Sequence, residues 1–199
     1  MSSLIPSSAL TIGIDIGGTK VLGGVVDSTG KIIDSARRAT PASGGKELIA
    51  TIIDLIKEFQ AKHEIAGIGI SVAALILKDQ GTIAGAPNIA NLSQLNFVSE
   101  ISKVFNLPVI AENDANAAMW AEFKFGNAHG LNPVIFFIIG TGMGGGLVID
   151  GKLFRGASGI GAEFGHMIVE RDGVLCGCGS HGCIEQYASG SALMRYAKE

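Results

Sequence analysis

Residues 10–32, L-T-I-G-I-D-I-G-G-T-K-V-L-G-G-V-V-D-S-T-G-K-I, decide how this chain is read. The apolar run over 10–15 predicts a buried strand that ends on a carboxylate, Asp15. Gly17, Gly18 and Thr19 then turn the chain into a second β-run, and Ser28-Thr29-Gly30 makes a hairpin turn into a third strand over 31–37. The first turn joins strand to strand, not strand to helix, and no G-x4-G-K-[ST] occurs. That excludes the P-loop and disfavours a dinucleotide-binding fold.

The same plan returns at 138–153, I-I-G-T-G-M-G-G-G-L-V-I-D-G-K-L. Each copy is a strand, a Gly/Thr turn, a strand ending in Asp, a glycine–lysine turn and another strand. The alternatives are chance likeness of two glycine hairpins and an internal duplication. Duplication predicts two lobes, each presenting such a hairpin. Glycine turns with free N–H groups are anion-binding concavities, and Thr19 and Thr141 add hydroxyls. A pair of them points to a polyphosphate ligand.

Between the two hairpins the pattern alternates helix and strand. Residues 47–62 carry apolar side chains at helical spacing, with Lys57, Glu58 and Gln60 on the wet face, and 65–72 reads as a buried strand. Residues 73–96 are irregular, with A-P-N at 86–88; a short helix is expected over 97–105 and a strand over 108–111. E-N-D follows and opens a helix over 113–125, with Asn113 or Asp114 as its cap. Lobe one is accordingly 1–130 and lobe two 131–199, an α/β chain throughout.

Composition bounds the partners. A 47% hydrophobic share and 17% charged share describe a globular protein with a sizeable core. Net charge is −3 and the basic residues form no cluster beyond Arg37-Arg38, which argues against nucleic acid. The apolar run 134–139 is too short for a bilayer, and M-S-S-L-I-P-S-S lacks the character of a signal peptide, so the expected location is cytoplasmic.

Residues 163–185, E-F-G-H-M-I-V-E-R-D-G-V-L-C-G-C-G-S-H-G-C-I-E, hold all three cysteines. Cys176, Cys178 and Cys183 with His166 make a complete tetrahedral ligand set for a structural Zn2+, with no position open for water. His181 is a rival ligand, but its Ser/Gly neighbours suit a surface loop. In a cytosolic chain this spacing favours metal over disulfides. Glu163 and Glu185 flank the set, either fixed by it or solvated. Metal-bound imidazole donates through its other nitrogen to a nearby oxygen, from the protein or from a ligand.

These residues together resemble the ROK (repressor, ORF, kinase) sugar kinases, and within them the bacterial glucokinases. The likeness runs from Asp15 to the last residue. It rests on D-I-G-G-T-K at 15–20, A-P-N at 86–88, E-N-D-A-N at 112–116, G-T-G-M-G-G-G at 140–146, and E-F-G-H with C-G-C-G-x-x-G-C-x-E up to 185. The resemblance implies the actin-like ATPase (ribonuclease H-like) fold, two lobes around an ATP cleft, and phosphorylation of glucose to glucose 6-phosphate at the head of glycolysis. It implies that Asp15 helps place Mg2+, and that Gly17, Gly18, Thr19, Lys20, Gly140, Thr141, Gly142, Gly144 and Gly145 hold the phosphates of ATP. It makes Asp114 the catalytic base, a residue that spacing alone would read as a helix cap. It gives Asn88, Asn113, Asp114, Glu163, His166 and Glu185 to the sugar hydroxyls, and assigns zinc to His166, Cys176, Cys178 and Cys183.

Two departures qualify the resemblance. S-V-A-A-L at 71–75 replaces the proline–glycine turn that borders the sugar in many members, so mannose and N-acetylglucosamine stand beside glucose as acceptors. Lobe two is expected to stop at its first helix, over 185–198, leaving that lobe incomplete. An apolar edge of this kind invites homo-oligomers, and the 199-residue polypeptide alone is expected to be poorly soluble and to show little kinase activity. Polyphosphate is the alternative phosphoryl donor. A sugar-sensing repressor of the same family is disfavoured because 14 residues precede Asp15, too few for a DNA-binding segment.

Overall fold

The computed structural model describes residues 9–79, 81–86 and 89–199; the expected sugar residue Asn88 lies outside the described residues. The chain divides into two compact units, Met1–Ala117 and Ala118–Glu199. The division falls within a helix, whereas the sequence expectation put it after residue 130, in the loop that follows.

In chain order the first unit contains β1 (Leu10–Ile16), β2 (Lys20–Val26), β3 (Ile32–Ala39), α1 (Gly45–Gln60), β4 (Ile65–Val72), β5 (Leu75–Ile76), β6 (Ile83–Gly85), α2 (Phe97–Ser102), β7 (Val109–Asn113) and the start of α3 (Asp114–Phe125). Five strands form one sheet in the order β3-β2-β1-β4-β7. The first three form an antiparallel meander, and β4 and β7 run parallel to β1. Alternation along β1 buries Ile12, Ile14 and Ile16 and turns Asp15 to the opposite face.

The apolar stripe of α1 (Leu48, Ile49, Ile52, Leu55, Ile56, Phe59) packs into the same core as Ile68, Ile70 and Val72 of β4. Each such side chain contributes roughly 1.5–3 kcal/mol by leaving water. The helix approaches so closely that a Cβ on Gly23 would lie 2.7 Å from both Leu55 and Phe59. The stretch after β4, expected to be irregular, contains the small β5–β6 hairpin.

The second unit continues α3 and then has β8 (Val134–Ile139), β9 (Met143–Ile149), β10 (Lys152–Leu153), a 3-10 turn (Phe164–His166), α4 (Glu185–Ala188) and α5 (Gly190–Tyr196). Its sheet, among the described residues, is three antiparallel strands in the order β10-β9-β8. The expected echo is present: three residues, Gly17–Thr19 and Gly140–Gly142, join β1 to β2 and β8 to β9. It fades at the third strand, which is eight residues long in β3 but two in β10.

Instead of one helix over 185–198 there are two. Ser189 takes an extended backbone between them, and its hydroxyl accepts the Ala192 N–H to cap α5. One face of β8 is open, with Ile135 59%, Phe137 47% and Ile139 62% exposed. No helix among the described residues is long and apolar enough to cross a membrane.

Candidate active site and metal centre

In the first unit, β1, β4 and β7 are parallel and end at one edge of the sheet, the edge where open α/β sheets receive ligands. Register sets Asp15 beside Ser71, and Ser71 beside Glu112. The Ser71 hydroxyl donates to Asp15 Oδ1 at 3.1 Å, and the Asp15 side of the strand stays exposed. Ser71 was not singled out from sequence, because only strand pairing shows what it touches.

The glycine turn after β1 is held by its carbonyls. The Gly17 carbonyl accepts the Thr40 hydroxyl at 2.7 Å, and the Thr19 carbonyl accepts the Thr40 N–H at 3.1 Å. Gly18, Thr19 and Lys20 remain exposed. The turn after β8 in the second unit is built the same way: the Gly140 and Thr141 carbonyls accept the N–H groups of Gly190 and Ser191 at 2.8 and 3.1 Å. Tying down carbonyls on one side is what an anion-binding turn requires, since a carbonyl facing a phosphate would repel it. Gly144 and Gly145 follow in β9, where a Cβ on Gly145 would press into Phe164 at 2.4 Å.

Strand β7 runs directly into α3, and Asn113 and Asp114 sit at the junction. Asn113 is the cap: its Oδ1 accepts the Asn116 N–H at 3.1 Å. Both hydrogens of its amide nitrogen are used, on Asp114 Oδ1 at 3.0 Å and on the Ala74 carbonyl at 3.2 Å. To a ligand Asn113 therefore offers a carbonyl acceptor and no donor.

Asp114 Oδ1 also accepts the Ala115 N–H at 3.0 Å, and these contacts leave Oδ2 over. Asp114 opens to solvent on one side while protein crowds the other. Desolvation, opposed by the Ala115 N–H and reinforced by the Asp15 carboxylate, holds its pKa above the ordinary value. A carboxylate so placed is a better proton acceptor than a free aspartate.

In the second unit His166, Cys176, Cys178 and Cys183 bring their ligand atoms within 4.8 Å of one another, and Cys176 and Cys183 are buried. His166 Nδ1 lies 3.6 Å from Cys176 Sγ, and the sulfurs of Cys178 and Cys183 lie 3.7 Å apart. A tetrahedron with metal–sulfur bonds of about 2.3 Å and a metal–nitrogen bond of about 2.1 Å has edges of roughly 3.8 and 3.6 Å. Two edges, His166–Cys176 and Cys178–Cys183, thus match those of a zinc tetrahedron, and all four ligand atoms lie close enough to share one ion. Burial, then the neighbouring thiols, push Cys183 up to about 12, a proton that only a cation among the sulfurs would displace. With Nδ1 turned to the sulfurs, His166 keeps Nε2 for a ligand.

Glu163 immediately precedes the 3-10 turn, and its carbonyl accepts the His166 N–H at 3.0 Å. Glu185 does something that spacing did not reveal. Its Oε2 accepts the Met143 N–H at 2.8 Å, and its Oε1 stands 4.0 Å from Cys176 Sγ. One side chain so links the cysteine cluster to the glycine turn. Gln186, also missed, donates to Cys176 Sγ at 3.7 Å.

Comparison with known proteins gives one consistent answer. The ROK family profile matches residues 11–199. A glucokinase of Streptomyces coelicolor is 46% identical over 190 residues, 96% of this chain and 59% of that enzyme. A xylose repressor of Bacillus subtilis is 37% identical over 190 residues, 93% of this chain and 49% of the repressor. Among solved structures, a ROK family glucokinase from Streptomyces griseus, in complex with glucose and AMPPNP, superposes with a TM-score of 0.84 at 46% identity, covering 95% of this chain and 60% of that one. The chain thus spans about three fifths of the length of the glucokinases it matches.

Proposed function

The chain belongs to the ROK family, with the actin-like ATPase fold, and on that premise we propose that it carries out ATP-dependent phosphorylation of glucose, with Asp114 as the proton acceptor. The observation that carries this reading is the junction of β7 and α3. There a carboxylate of raised pKa has one oxygen fully engaged and the other left over, beside an amide that can only accept.

A hexose presents only hydroxyls, so its site needs acceptors and donors at fixed points. Of the residues given to the sugar, the first unit offers the Asn113 carbonyl as an acceptor, and the second offers the Glu163 carboxylate as an acceptor and His166 Nε2–H as a donor. Glu185 takes part through Oε1, since Oε2 is already bonded to Met143. As the hydroxyl attacks the terminal phosphorus, the bond to the bridging oxygen breaks and ADP leaves, and the hydroxyl proton passes to Asp114 Oδ2, while the Asn113 and Ala115 N–H groups on Oδ1 hold the carboxyl in place.

Each glycine turn, with Thr19 and Lys20 in the first unit and Thr141 in the second, offers N–H and hydroxyl donors of the kind that hold the phosphates of ATP. Asp15 is the carboxylate that would share Mg2+ with them; one carboxylate plus phosphate oxygens is a usual magnesium environment, and the ion neutralises phosphate charge. His166, Cys176, Cys178 and Cys183 would hold Zn2+ with four protein ligands and no open position, which would make its role structural.

ATP and glucose are favoured as substrates because the Streptomyces griseus enzyme, 46% identical, was solved with glucose and AMPPNP. The test is a panel: protein from the whole natural reading frame, offered ATP or polyphosphate and glucose, mannose or N-acetylglucosamine, with products identified by phosphorus NMR. Glucose 6-phosphate from ATP should dominate. Transfer from polyphosphate alone, or to another hexose alone, would reassign the donor or acceptor. Hexose binding without transfer from either donor would favour a sensor like the xylose repressor.

A further inference from the structure

Asn116 is 3% exposed, and its side-chain oxygen has no hydrogen-bond partner among the described residues. Turning the amide over does not help. Its oxygen would then face the Glu112 carboxylate and its nitrogen would be orphaned instead. A buried amide left half satisfied costs stability that an apolar side chain of similar size would not.

Its Nδ2 donates to Glu112 Oε1 at 3.1 Å, and Glu112 Oε1 also accepts the Asn113 N–H at 3.1 Å. The Asn116 N–H returns to Asn113 Oδ1. In an ordinary capping box the third helical residue reaches back to the N–H of the cap itself. Here Asn116 occupies that third position, and the carboxylate of Glu112 stands between the two partners. The cap residue is thereby gripped at both its backbone N–H and its side-chain oxygen. The only direction left for its amide nitrogen is toward Asp114 Oδ1 and the Ala74 carbonyl.

We propose that Asn116 and Glu112 are positioning residues: they lock Asn113, and Asn113 in turn locks the Asp114 carboxylate with Oδ1 engaged and Oδ2 presented. The kinetic consequence rests on the reading of Asp114 as proton acceptor; the lock itself does not. Of the charges around Asp114, the Asp15 carboxylate on β1 raises its pKa, while the Asn113 amide lowers it. Glu112 on β7 is the other carboxylate at the junction. Loosening Asn113 should therefore raise the pKa of Asp114 further.

The test is a carbon-13 NMR titration of the Asp114 carboxyl in the full-length protein, beside steady-state kinetics over pH. Asn116→Leu fills the volume without a donor, and Asn116→Ala repeats the measurement should leucine not fit. Both should fold, raise the Asp114 pKa, move the acid limb of the kcat profile to higher pH, and lower kcat about tenfold or more with the hexose KM nearly held. Glu112→Gln keeps an acceptor oxygen and should not raise that pKa. If the Asp114 pKa and kcat stay unmoved in folded Asn116 variants, Asn116 only fills space and the proposal is wrong. If the pKa moves but the rate does not, the lock stands and Asp114 is not the base.

Discussion

At the scale of single residues, the side chains that stood out in the sequence were mostly those whose type announces chemistry. The cysteine–histidine set needed no structure to be found, because three thiols within eight residues and a nearby imidazole have few other uses. The structure adds that their ligand atoms gather within 4.8 Å of one another, two pairs of them at the edge lengths of a zinc tetrahedron. Cys178→Ser should abolish stoichiometric zinc, measured by metal analysis, and lower the melting temperature, because binding free energy at such a site is folding free energy. Retained zinc with unchanged melting would show that Cys178 is not a ligand. Ser71, Asn116 and the Met143 bond of Glu185 were not legible, since each depends on which backbone lies opposite. No periodicity carries that information.

At the scale of elements, short apolar runs were easy to read as strands. β4 and β8 have the bounds expected of them, and α1 follows its apolar stripe. A local polar group misled the reading of the last helix, where the Ser189 hydroxyl caps α5 and breaks the expected run, and α2 stops at Ser102, short of the expected 105. Why α1 and β2 approach so closely is a packing fact about Gly23, which leaves no room for a methyl group between Leu55 and Phe59. Gly23→Ala should destabilise the first unit by about 1–3 kcal/mol through overpacking. Chemical denaturation that finds the variant as stable as the parent would mean α1 can retreat freely.

At the scale of the whole molecule, the internal echo of two glycine hairpins was the sequence feature that reached the fold, because a repeated strand–turn–strand plan can be seen without any contact. The second unit carries Ile135, Phe137 and Ile139 exposed on β8, a contiguous apolar strand of the kind that drives association. The isolated 199-residue polypeptide should therefore self-associate in light scattering at micromolar concentration; a monodisperse monomer would show that this strand is protected. The proposed phosphoryl transfer to a hexose rests on the family, the fold and the β7–α3 junction, and the proton acceptor is where that proposal is most exposed. The most direct measurement is glucose phosphorylation by Asp114→Asn in protein expressed over its natural reading frame, paired with glucose binding by calorimetry. Asparagine keeps the shape and the contacts on Oδ1 but cannot take the proton. Turnover should fall by about 10²–10⁴-fold while the glucose Kd holds within a few-fold; near-normal turnover would contradict the role of Asp114 and return it to a helix-starting residue.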